Sequence, residues 1–200
     1  MRGKIEIKPG FFLFLAVAVL VEGLRFAVLV ILAASIHELG HCAAIWLCGG
    51  RIRTVRMGHT GAEILLDGPM SYNRDMLIAL AGPTASILAA MAAGRAYAAT
   101  GSEGTTLFAG LNMLYGLFNL LPLSVMDGGR FLFSLCSAAL GPFRARKMAA
   151  FIDAAGVALL FTAGVYAFAQ TGGNLTLLLC SVFLLDACCK SSKNSVNFHH

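Results

Sequence analysis

The sequence predicts an all-α integral membrane protein with about six transmembrane helices and a small β-hairpin on the cytoplasmic side. Composition gives the solvent. The chain is 58% hydrophobic and 12% charged, where an ordinary soluble domain carries about 25% charged residues. Its mean hydropathy is +0.78. The pattern gives the number of spans: apolar tracts cover 10–22, 24–49, 75–98, 105–140, 147–170 and 174–189. The distribution of Lys and Arg gives the orientation. Twelve of the 15 lie in the N-terminus, the 50–74 and 141–147 loops and the tail, against two in the intervening loops. Basic residues stay on the cytoplasmic side, so both termini are expected there. The same clustering at tract ends explains the +5 net charge without nucleic acid.

The first tract is short for a span and needs tilt or an extension before it. No small-residue cleavage site follows it, so no signal peptide is expected. The second tract, from Phe26 to Gly50, has no acidic or basic residue other than Glu38 and its two histidines. Arg51–Asp67 is too polar to span. Ile52, Val55 and Met57, then Ala62, Ile64 and Leu66, flank His59-Thr60-Gly61, which reads as a surface hairpin. Its last stretch alternates well and its first poorly. The fourth tract is too long for one straight helix. Pro122 is expected to break it, since proline removes a donor and clashes with the preceding turn. Residues 1–190 therefore read as one polytopic membrane domain, and 191–200 as a polar tail. The six cysteines form no CxxC pair and lie in or beside apolar tracts. They read as reduced thiols packed as small hydrophobes.

His37-Glu38-Leu39-Gly40-His41 lies inside the second tract. Residues four apart on a helix sit about 40° apart on one face. Two imidazoles at that spacing can grip one Zn²⁺, with Glu38 beside them as a base. Ionisable groups at membrane depth are expensive and point to function. The pattern is short enough to arise by chance, so the rest of the chain must decide. Catalytic zinc takes a third protein ligand. His59 sits in the polar hairpin and reads as an exposed turn residue. Asp127 is the better candidate. It lies deep in the fourth tract, between Pro122 and Gly128-Gly129, where opened backbone can line a cavity. Its alternative is an ion pair with Arg130, three residues on. His199 and His200 read as a tail. Glu22 with Arg25, Asp153, and Asp186 with Lys190 read as structural charges near the membrane edges.

HELGH in one apolar helix, followed by Asn119-x-x-Pro122-x-x-x-x-Asp127-Gly128, resembles the site-2 protease family of intramembrane zinc metalloproteases, peptidase family M50. Ala81-Gly82-Pro83 in the third span resembles another element of that core. The resemblance covers about residues 24–140. It implies His37, His41 and Asp127 as zinc ligands and Glu38 as general base. It implies Asn119 as a polar group near the substrate carbonyl. A side-chain amide can donate to a developing oxyanion, or it can simply bridge helices. The compact layout, Ile36 before HELGH and NLLPLSVMDGG look most like the sporulation branch, whose members process a membrane-associated sigma-factor precursor. A C-terminal CBS domain, common in that branch, is not expected, nor is an inserted PDZ domain.

The expected activity is hydrolysis of a peptide bond in a membrane-associated protein, in a bacterial cell or forespore membrane. The partners are that substrate and the lipid bilayer, and the reading leaves a membrane-protein inhibitor or a homo-oligomer open. Two rivals stand beside it: a membrane transporter binding a passing metal, and a catalytically silent scaffold. Glu38 separates them, because a carrier needs no base beside its ligands.

Overall fold

The computed structural model describes residues 4–7, 9–58, 61–171, 181, 182, 184, 185, 187 and 188. His59, Asp186, Lys190 and the tail fall outside the described residues, as does most of the sixth expected span. The elements run β1 (Lys4–Ile7), α1 (Pro9–Glu22), α2 (Leu24–Leu47), β2 (Ile52–Gly58) and β3 (Gly61–Leu66). Then come α3 (Tyr72–Thr100), α4 (Glu103–Asn119), α5 (Asp127–Leu140) and α6 (Pro142–Thr171). They cluster as two compact units that meet in sequence between Asn119 and Leu120.

Among the described residues, three helices are long and apolar enough to cross a membrane: Leu24–Leu47, Tyr72–Ala99 and Pro142–Gln170. Their mean hydropathies are 1.8, 1.8 and 1.9. The helices α1, α4 and α5 have 14, 17 and 14 residues, less than the roughly 20 of an untilted span. The 105–140 tract is two helices, as Pro122 requires. Helix α4 stops at Asn119, and residues 120–126 are irregular up to α5.

In the first unit, α2 turns on Gly23, whose φ of +88° suits a residue without a Cβ. The buried face of α2 is a stripe at four-residue spacing: Ala33, His37, His41 and Ile45. Helix α3 answers with Ile78, Gly82, Ser86 and Ala90, all buried. Small residues set the approach. A Cβ on Gly40 would lie 2.6 Å from the Ala81 carbonyl oxygen and 2.7 Å from the Ala85 Cβ. On Gly116 of α4 it would lie 3.1 Å from the Pro83 carbonyl oxygen and 3.2 Å from the Ser86 Cβ. Helices in lipid associate through this kind of close packing, since lipid is as apolar as leucine. Other bulky apolar side chains face outward, with Leu39 at 65% and Trp46 at 77% exposure. Among the described residues, no ion pair between Arg25 and Glu22 is found. The Arg25 guanidinium lies instead by Gly104, where a Cβ would come within 2.6 Å of a nitrogen.

The hairpin forms as expected, with β2 and β3 antiparallel. Its poor alternation over the first stretch has a cause. Ile52 pairs with Leu66 and Thr54 with Leu65, so Arg53 is an extra residue on β2, and a bulge shifts the inward-outward alternation there. A third strand, β1, was not legible in the N-terminal segment. It pairs parallel to β2, giving the sheet order β1-β2-β3. The Arg56 Nε donates to Glu6 Oε2 at 3.0 Å across that pair. This contact, with Lys4 beside it, holds the exposed Glu6 carboxyl below its ordinary value of 4.5.

In the second unit, α5 and α6 are joined through Gly141, whose φ is +83°. Pro142 then opens α6, at a position where a missing N–H costs nothing. Leu123 is buried with Val157 and Leu184.

Candidate metal centre

The two histidines are positioned by helix geometry alone. His37 and His41 are buried on successive turns of α2. Their rings stand edge to face with centroids 4.8 Å apart, and their Nε2 atoms are 3.1 Å apart. Each Nδ1 has a partner on α3. The His41 Nδ1 lies 2.8 Å from the Ile78 carbonyl oxygen. A carbonyl only accepts, so that Nδ1 carries a proton and the Nε2 of the neutral ring is a lone pair. The His37 Nδ1 lies 3.0 Å from the Ser86 hydroxyl. Tyr115 of α4 stacks edge-on to His37, with centroids 4.8 Å apart. Gly82, between Ile78 and Ser86 on the same stripe, faces the Nε2 edges of both rings. A Cβ there would come within 2.6 Å of His41 Cε1, and closer still to His41 Nε2.

Such an arrangement suits a metal. Ring nitrogens that bind a cation have their other N–H held by a carbonyl or hydroxyl. Glu38 follows His37 directly and is half-buried. Asn119 is the last residue of α4 and half-buried, and one of its amide N–H groups donates to the Tyr115 carbonyl at 2.9 Å.

Asp127 is the first residue of α5. The backbone before it folds back tightly over the helix start. A Cβ on Gly128 would collide with the Leu120 carbonyl, and one on Gly129 with the Leu123 carbonyl. The Asp153 carboxylate of α6 accepts the Ser124 N–H at 2.8 Å and pins the irregular segment. Asp153 is thus a support of the motif rather than a free charge at the membrane edge. His37 and His41 thus belong to the first unit, and Asp127 opens the first helix of the second. Ile78, Ser86 and Tyr115 are the residues beside the histidines that motif reasoning missed, and none of them carried a signal. Gly82 was legible as part of Ala81-Gly82-Pro83, without its place against the rings.

Residues 90–163 match the profile of peptidase family M50. The chain is 28% identical over 192 residues to a zinc metalloprotease of Methanocaldococcus jannaschii, covering 90% of this chain and 55% of that protein. It is 29% identical over 145 residues to stage IV sporulation protein FB of Bacillus subtilis, covering 70% and 50%. The chain thus spans about half the length of these curated relatives. The solved site-2 protease from Methanocaldococcus jannaschii superposes with a TM-score of 0.73 at 25% identity, covering 96% of this chain and 92% of that one. The fold of the chain is thus like that of the solved site-2 protease. By these likenesses, the chain is similar to peptidase family M50 over residues 90–163 and to two curated relatives at 28% and 29% identity.

Proposed function

We propose that this chain is an intramembrane zinc endopeptidase, with His37, His41 and Asp127 as metal ligands, Glu38 as general base and Asn119 as oxyanion donor. One observation carries the reading. Two buried imidazoles present adjacent Nε2 atoms, 3.1 Å apart, to a surface that a glycine leaves bare. A structural histidine pair would have no need of that clearance. Two imidazole nitrogens and a carboxylate oxygen match a catalytic zinc site with one position open for water. Bound there, zinc would supply Lewis acidity, which lowers the pKa of a ligand water to about 7.

The chain's own residues do the rest. Glu38, next in sequence to a ligand, takes the proton of the attacking water and returns it to the leaving amine. Asn119 has two amide N–H groups and uses one on the Tyr115 carbonyl. The other is the donor for the oxygen of the tetrahedral intermediate.

The substrate is a membrane-associated protein, such as a sigma-factor precursor or a membrane-tethered regulator. The likeness to a protein named for sporulation supports that class. The topology that goes with this reading is six spans in one membrane domain, with both termini cytoplasmic. Three qualifying helices and the Lys/Arg pattern support it.

The test is co-expression with a membrane-tethered substrate and Glu38→Gln. Zinc retained with cleavage abolished supports the protease. Cleavage at the wild-type rate overturns the mechanism, and retained metal transport without cleavage would make the protein a carrier.

A further inference from the structure

The two histidines are held differently. His41 hands its Nδ1 proton to the Ile78 carbonyl, an acceptor that cannot donate, so its tautomer is fixed by the backbone. His37 faces a hydroxyl, the Ser86 Oγ at 3.0 Å. A hydroxyl can donate or accept, so the backbone does not decide which nitrogen of His37 carries the proton. Ser86 is fully buried on α3, one turn beyond Gly82. It is therefore in the same row that clears the metal-binding edges of the rings. Tyr115 limits the His37 ring from the α4 side.

We propose that Ser86 is a positioning residue for the metal centre. Its oxygen accepts the His37 Nδ1–H and thereby turns the Nε2 lone pair towards the cation. The proposal rests on His37 being a ligand. Without the hydroxyl, a buried N–H is left without its acceptor whenever Nε2 binds metal. Losing such a partner typically costs 10–100-fold in metal affinity.

The test uses the full chain in detergent, with zinc affinity measured by chelator competition for wild type, Ser86→Ala and His37→Ala. Ser86→Ala deletes one oxygen from a helix and favours that helix. Its metal-free melting temperature is expected to stay at the wild-type value while its zinc Kd rises 10- to 100-fold. Wild-type affinity in Ser86→Ala with loss in His37→Ala overturns the role of Ser86 alone. Wild-type affinity in His37→Ala overturns the ligand reading beneath it. A second measurement needs no variant. In zinc-loaded protein with ¹⁵N-labelled histidine, the His37 Nδ1 is expected to be protonated and slow to exchange. An unprotonated His37 Nδ1 would mean that Ser86 donates, and would sink the proposal.

Discussion

Gly82 and His37 share a boundary with no room for another atom: a Cβ at position 82 would lie 2.7 Å from the His37 Nε2. In the proposed metal site, that nitrogen is the edge the ion must reach. The chemistry of α2 therefore depends on a hydrogen atom on α3. Gly82→Ala is expected to weaken zinc binding at least tenfold, or about 1.4 kcal/mol, and to reduce cleavage with it. Overpacking of this kind also costs about 1–3 kcal/mol of stability. Chelator competition and a melting curve on the detergent-solubilised variant separate the two effects. Unchanged zinc affinity would show that the ion does not sit on the Gly82 side of the rings.

Asp153 tests the support of the Asp127 segment. Its carboxylate holds the Ser124 N–H at 2.8 Å, within the stretch that Gly128 and Gly129 pack beneath. A hydrogen bond to a charged group contributes about 1.5–3 kcal/mol. Asp153→Ala should speed amide exchange at Ser124, and Asp153→Asn, which keeps an acceptor oxygen, should do so less. Equal exchange in both variants and wild type would mean that the irregular segment is held by packing alone.

Acid should release the first strand. Arg56, then Lys4, hold the Glu6 carboxyl below its value of 4.5. A depressed folded value contributes stability that is present above 4.5 and lost as pH falls through the lower folded value. The β1–β2 pairing should therefore loosen in acid. The Glu6→Gln variant should show the looser pairing already at neutral pH and little further change on acidification. Amide exchange across residues 4–7 reads both effects. Pairing in Glu6→Gln as tight as wild type at neutral pH would assign β1 to its backbone ladder alone.

Much of the site was readable because its chemistry is local in sequence. His37, Glu38 and His41 fall on one helix, and a four-residue spacing dictates their common face whatever surrounds them. The fourth tract broke beside Pro122, where backbone rules said it would, whereas Gly128 and Gly129 lie inside the first turn of α5 and did not break it. The hairpin was readable from its turn and its alternating second strand. The strand β1 was not, because four residues carry no pattern and its partner is some fifty positions away.

Sequence alone determined the apolar composition, the HExxH spacing and the helix that carries both histidines, since composition and helical periodicity are properties of neighbouring residues. Tertiary structure decided what faces those histidines. Ile78, Ser86 and Tyr115 have no motif of their own, because any buried residue with a carbonyl, a hydroxyl or a ring could stand there. Only the close crossing of α2, α3 and α4, set by Gly40, Gly82 and Gly116, brings those groups within hydrogen-bond or ring-contact distance of the imidazoles.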